Sequence, residues 1–239
     1  VLTGFTIRAE ATDLGKANLI QVNGDRVQLV GNDMSYPGGI CVGAGSKPSG
    51  AYSAVDDIEF ADDLVLRGNR IHSCGTSPLL VWSPEDSGAH GVYLQYTRRA
   101  LVTENLIYSN RWRGLQLWPR ALNTTVTNNL FDSNATQVNI GSALPNFPWA
   151  SEGTVVRNNI MSNRITDFAP SKNPAAIYGN FPIGTPANQF GNVVDHNCID
   201  EPAATSTGGG GVVFGESTTG SPTYSDPTTG DFRLGPGSA

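Results

Sequence analysis

Charge is sparse in this chain. Asp, Glu, Lys and Arg together make up 15% of its 239 residues, and the net charge is −6. The cations form no cluster, which argues against nucleic acid or an anionic membrane as a partner. No apolar run approaches the roughly 18 residues that a helical membrane span needs. No segment carries a helical hydrophobic period. Cysteine is scarce: Cys41, Cys74 and Cys198 are odd in number, far apart and without the C-x-x-C spacing of a zinc site. One disulfide, or three small residues stacked in a core, are both open readings, and the second is favoured. No signal peptide is visible and the first residue is Val1. The expectation is therefore a processed protein or an excised fragment, with further residues upstream in the parent chain.

What the chain has in quantity is glycine, 28 residues, and proline, 15, which suits a turn-rich all-β protein. It also has a repeat. An apolar residue, two positions, Asn, one position and a second apolar residue recur as Leu29/Asn32/Met34, Leu66/Asn69/Ile71, Val102/Asn105/Ile107, Val126/Asn129/Phe131, Val156/Asn159/Met161 and Val194/Asn197/Ile199. The asparagines are 37, 36, 24, 30 and 38 residues apart. That spacing fits a coil of about 22–24 residues with insertions in all but one turn. Before each Asn lies a short alternating segment: Leu19–Val22, Ile58–Phe60, Val92–Leu94, Leu115–Leu117, Val138–Ile140 and, more weakly, Ala176–Tyr178. Alternation over three to five residues between turn formers marks strands. Stacked strand-only coils make an all-β fold, a right-handed parallel β-helix of about seven to eight coils. The repeated Asn is expected at a tight corner, in the left-handed conformation that Asn tolerates, with its amide bonded to its stacked counterparts. Residues 1–239 read as one solenoid, with 201–239 as a closing segment. Within it four consecutive glycines (Gly208–Gly211) link to a last strand at Val212-Val213-Phe214.

Alternation also sorts side chains into inward and outward. Equivalent residues of successive coils stack about 4.8 Å apart. His90 and Arg113 each stand just before a coil's glycine and are expected to be neighbours. Glu59, Tyr93, Gln116, Asn139 and Tyr178 are expected to form one outward ladder. Tyr93 and Trp118 offer faces to sugar rings, and Gln95, Gln116, Asn139 and Arg120 offer hydrogen bonds to hydroxyls or a uronate. A His–Arg–Tyr group supplies what proton removal beside a carboxylate requires, a base and a cation for the developing enolate. His90, Arg113 and Tyr93 are thus the catalytic candidates. Asp57 and Glu59, side by side in the acidic stretch Val55–Asp63, are candidate ligands for Ca²⁺, which takes carboxylate oxygens. A solvated strand and turn is the favoured reading of that stretch, and no EF-hand-type loop spacing supports calcium. His72 and His196 sit in corner segments and read as structural, and Arg98, Arg99 and Arg111 as solvated turn charges. Asn123 and Asn134 match glycosylation acceptors but lie where turns are expected.

Asn69-Arg70-Ile71-His72-Ser73-Cys74-Gly75, His90-Gly91-Val92-Tyr93-Leu94 and Gly114-Leu115-Gln116-Leu117-Trp118-Pro119 resemble the right-handed parallel β-helix proteins of the pectate-lyase-like superfamily, in particular its secreted bacterial members. The ending Asp226–Ser238 is similar to a closing motif of such proteins. The resemblance implies a fold, and it leaves open lyases, hydrolases, esterases, epimerases, tailspikes and adhesins. Polygalacturonase-like hydrolases carry paired aspartates, Gly-His-Gly and Arg-x-Lys. This chain has Asp62-Asp63 and Ala89-His90-Gly91 but lacks Arg-x-Lys. Asp57, Glu59 and Arg113 imitate the acid cluster and arginine base of pectate lyases without diagnostic spacing. The expected function is a secreted or cell-surface protein that cleaves an acidic polysaccharide by β-elimination around His90 and Arg113. The alternatives are a non-catalytic glycan-binding or structural β-helix, and then a glycoside hydrolase.

Overall fold

The computed structural model describes residues 1–10, 18–36, 38–45, 59–76, 88–142, 149–166, 175–200, 205–207, 210–236 and 238. The chain is a right-handed parallel β-helix. The first sheet stacks Leu2–Thr3, Gln28–Val30, Val65–Arg67, Leu101–Thr103, Thr125–Thr127, Val155–Arg157, Asn192–Asp195 and Val212–Phe214. The second stacks Thr6–Arg8, Asp33–Ser35, Arg70–His72, Leu106–Tyr108, Leu130–Asp132, Ile160–Ser162, Cys198–Ile199 and Thr218–Thr219. The third stacks Asn18–Val22, Ile40–Ala44, Val92–Leu94, Arg113–Leu117, Thr136–Gly141, Ile177–Asn180 and Thr205–Thr207. A short three-stranded sheet, Ala61–Asp62, Thr97–Arg98 and Ala121–Leu122, closes the middle coils.

The two apolar positions of the repeat are two inward columns. Leu29, Leu66, Val102, Val126, Val156 and Val194 stack in the first sheet, and Met34, Ile71, Ile107, Phe131, Met161 and Ile199 in the second; all are at most 3% exposed. Val42, Val92, Leu115, Val138 and Ile177 meet them from the third sheet. Between the columns runs the asparagine ladder. Each Nδ2 donates to the Oδ1 of the next coil's Asn, from Asn32 to Asn69, Asn105, Asn129, Asn159 and Asn197, at 2.9–3.1 Å. Each of these backbone N–H groups donates to the same Oδ1. Only an amide combines these donors with such an acceptor, so Asp does not substitute. The left-handed conformation falls one residue earlier than expected, on Gly31, Gly68, Glu104, Asn128, Asn158 and His196. The Asn is selected for its amide, and its predecessor absorbs the turn.

Three expectations are corrected. Cys41 and Cys74 form a disulfide, joining a third-sheet strand to the next coil's second corner, while Cys198 is free. The two lie 33 residues apart, about one coil with its insertion, so winding brings them together. The third-sheet strand of the second coil is Ile40–Ala44, not Ile58–Phe60. Ile58 lies outside the described residues. Phe60, expected inward, is half-buried on the outside with the guanidinium carbons of Arg98 and Arg120 at 4.7 and 5.2 Å from its ring centre. Asn134, expected in a turn despite its sequence match to a glycosylation acceptor, is fully buried and accepts from Asn110 in a second, shorter ladder.

The closing segment folds back along the side of the solenoid. Its hairpin, Tyr224–Asp226 with Asp231–Leu234, is antiparallel. Phe232 packs on Tyr108 at 4.8 Å between ring centres, and the Tyr224 hydroxyl meets Ser162 Oγ at 2.7 Å. The hairpin covers the outer face of the second sheet, leaving the third sheet's outer face to other uses.

Candidate functional site

The third sheet's outward register is set by its parallel pairing. Gln21, Gly43, Tyr93, Gln116, Asn139, Tyr178 and Ser206 share one row. The expected ladder therefore stands with Gly43 in the place given to Glu59, because the second coil's strand is the earlier one. His90 and Arg113 are neighbours on adjacent coils, where the Gly91 N–H donates to the Arg113 carbonyl at 2.9 Å.

These rows line a pocket of about 250 Å³ bounded by Gly88, His90, Tyr93, Arg113, Gln116, Trp118 and Asn180. Five predicted site residues are thus brought together: His90, Arg113, Tyr93, Gln116 and Trp118. Asn180 and Gly88 complete the lining and escaped the sequence reading. Asn180 was legible in principle, since it follows the Gly141 position that pairs with it. Gly141 itself lets the Trp118 ring lie against the next coil: a Cβ there would stand 2.5 Å from the indole.

Three predicted residues lie elsewhere. Gln95 sits outside the lining, with its Nε2 donating to the Gly45 carbonyl at 3.4 Å. Arg120 turns the corner after Pro119 in a left-handed conformation, with φ of 53°, and reaches Phe60 instead of the pocket. Asn139 is fully buried in the row between Gln116 and Tyr178, and neither amide atom has a hydrogen-bond partner. Of the proposed calcium ligands, Asp57 lies outside the described residues and Glu59 is exposed. No group of three His, Cys, Asp or Glu side chains gathers for a metal among the described residues. Asp62 and Asp63 are engaged by Arg98 and Arg99, and these hydrogen bonds hold both carboxyls below their ordinary range. His72 bonds Asp33 at 3.1 Å and stacks on Tyr108, consistent with a structural part.

Electrostatics divide the pocket into an uncharged base and a cation. Burial, then the neighbouring Arg113 charge, holds His90 well below the ordinary histidine range, so its imidazole is neutral at pH 7. Its Nδ1 is enclosed without a hydrogen-bond partner, and its ring meets Tyr93 edge-on at 5.4 Å and Trp112 at 5.9 Å. Burial also lowers Arg113, to about 10, against the opposing pull of Tyr93 and Tyr178, so it stays charged at pH 7. Its guanidinium donates to Gln116 Oε1 and lies 5.4 Å from the centre of the Trp112 ring. Tyr93 and Trp118 remain half-exposed, available to a ring laid over them.

Among the described residues no helix is long and apolar enough to cross a membrane. No curated protein matches the sequence. Residues 18–221 match the model of the right handed beta helix region, most of the chain and all the coils that build the pocket, and the protein belongs to that family.

Proposed function

We propose that this β-helix binds an acidic polysaccharide at the third-sheet pocket and cleaves it by β-elimination. The observation that carries the reading is a neutral imidazole, His90, enclosed beside a charged guanidinium, Arg113, in a walled pocket. Arg113 pairs with the uronate carboxylate and stabilises the charge that develops when the neighbouring C–H is broken. His90 accepts that proton. The electron pair forms the ring double bond, the glycosidic C–O bond breaks, and the departing oxygen takes a proton from the Tyr93 hydroxyl. Trp118 and Tyr93 support the sugar rings, and Gln116 orients Arg113. A hydrolase is less well supported, because glycoside hydrolysis generally uses two carboxyl groups and none lines this pocket among the described residues.

Secretion to an extracellular or cell-surface location is part of the same proposal. The Cys41–Cys74 disulfide supports it, since such bonds persist in oxidising compartments. A second reading, glycan recognition without cleavage, is favoured by one observation: His90 is only 3% exposed and Arg113 7%. The test is incubation with a panel of uronate polymers, read as absorbance of the unsaturated product. Product formation that disappears in His90→Ala supports the lyase. Glycan binding with no product from any polymer leaves the recognition reading and removes the lyase.

A further inference from the structure

His90 is enclosed without being held by its own side chain. It is 3% exposed, its Nδ1 has no hydrogen-bond partner, and its ring contacts are Tyr93 and Trp112. A buried polar nitrogen left unpaired costs about 1–3 kcal/mol, so the ring by itself would gain from moving toward water. What keeps it inside is the backbone around it.

On one neighbouring coil, the Cys41 and Val42 N–H groups donate to the His90 and Gly91 carbonyls at 3.2 and 3.0 Å. On the other, the Trp112 N–H donates to the Ala89 carbonyl at 3.0 Å, and the Gly91 N–H to the Arg113 carbonyl at 2.9 Å. Cys74 stands at the corner beside them. Its carbonyl accepts from the Arg111 N–H at 3.0 Å, and its own N–H donates to Asn110 Oδ1 at 3.1 Å. The next residue, Gly75, lies so close to Ala89 that a Cβ there would stand 2.1 Å from the Ala89 Cβ. The Cys41–Cys74 bond therefore ties the strand that holds the His90 carbonyl to the corner that abuts Ala89 and bonds the chain leading to Arg113. Both cysteines are fully buried, so the bond is a fixed brace, out of reach of a reductant in solvent.

We infer that the Cys41–Cys74 disulfide is a positioning element of the pocket: it fixes the backbone on both sides of His90 and so keeps the imidazole enclosed beside Arg113. The placement of His90 belongs to the fold and stands apart from the proposed cleavage; only its consequence for kcat rests on that reading. The inference separates two roles of one bond. A disulfide that acts through the unfolded chain raises stability and leaves the folded site as it is. One that positions a residue changes that residue's surroundings when it is removed.

The test is NMR of ring-labelled histidine, titrated across and below the ordinary histidine range. The chain has three histidines, His72, His90 and His196, and loss of one resonance in His90→Gln identifies the signal. In wild type His90 should stay neutral to well below pH 6.5, held there by burial and by the Arg113 charge. In Cys41→Ala/Cys74→Ala, measured well below its own melting temperature, His90 should titrate closer to the ordinary value. On uronate polymers the same variant should lose about tenfold or more in kcat with a smaller change in KM, as a misplaced reacting group does. A lowered Tm with the His90 titration of wild type would overturn the inference and leave the bond a stabiliser only. If the double variant does not fold, Gly75→Ala takes its place, because its Cβ must displace Ala89 while the disulfide stays intact. An unmoved His90 signal in that variant overturns the inference equally. A shifted His90 signal with no product from any polymer, wild type included, keeps the brace and removes the lyase.

Discussion

Two rows of this solenoid run parallel and are used in opposite ways. Along the corner between the first and second sheets, six coils place the same residue, Asn, and each amide serves the next coil. Along the third sheet's outer face, the equivalent positions read Gln21, Gly43, Tyr93, Gln116, Asn139, Tyr178 and Ser206, with no repetition between neighbours. One row repeats because every coil needs the same hydrogen bonds to stack. The other varies because no one side-chain hydrogen bond recurs along it from coil to coil among the described residues, although the Gln21 Nε2 donates to the Gly45 carbonyl of the neighbouring coil at 2.7 Å. A variable row on a repetitive scaffold is where a binding surface can be built at little cost to folding.

The sharpest way to break this contrast is at the variable row's base. His90→Ala is expected to lower the rate of uronate cleavage by about 10²–10⁴-fold, the usual contribution of a positioned base. Binding should change far less, as a comparison of kcat with the dissociation constant would show. Because burial depresses His90, the acidic limb of kcat/KM is expected well below pH 6.5, and the loss of the Arg113 charge near pH 10 sets the alkaline limb. The unfolded chain protonates this histidine near its ordinary value and the folded chain does not. Stability should therefore fall as pH drops from about 6.5 toward the depressed value, and His90→Gln should flatten that slope in thermal melts.

The repetitive row and its cross-links should answer in stability instead. Opening the Cys41–Cys74 link by a double alanine substitution is expected to cost about 4 kcal/mol, the loop entropy of a closure of this length. Asn129→Ala leaves the Asn105 amide and backbone N–H, the Val102 carbonyl and the Asn159 oxygen short of partners. At about 1–3 kcal/mol for a buried group left unpaired, with partial relaxation, a total of about 3 kcal/mol is expected. In a protein of this size that lowers Tm by about 6–12 °C. A melt within a degree or two of wild type would show that the ladder follows the fold without holding it.

How much of this was legible in sequence depends on where each coil carries its insertion. Val92 stands 10 residues before Val102, and Leu115 stands 11 before Val126, so those third-sheet strands are found by looking just ahead of the repeat. In the second coil the insertion follows the strand, and Val42 stands 24 residues before Leu66. A search at the usual distance lands on Ile58–Phe60 and carries Glu59 into a row where Gly43 belongs. His90 and Arg113 could be paired because no insertion separates their coils between equivalent glycines. Arg120 was misplaced because period-two alternation says nothing once the backbone turns left-handed. The disulfide was hidden for a related reason, since contact across coils follows from winding and not from separation along the chain.

The smallest expected effect is also the one that separates the two rows most cleanly. Asn139 has the same side chain as the ladder asparagines and the same complete burial, yet its amide oxygen and nitrogen are without partners. A ladder Asn contributes its hydrogen bonds to stacking; Asn139 carries a desolvation penalty with no bond to offset it. Replacement by a similarly shaped apolar residue should therefore be neutral or mildly stabilising here, the reverse of the outcome at Asn129. Asn139→Leu is expected to leave Tm unchanged or raise it by a few degrees, about 1 kcal/mol. If the row serves glycan, the same variant should bind oligouronates more weakly, because Asn139 stands between Gln116 and Tyr178 in the row and a leucine there displaces its neighbours. A fall in Tm as large as that of Asn129→Ala would show that Asn139 supports stacking after all, and the division between the two rows would fail at that residue.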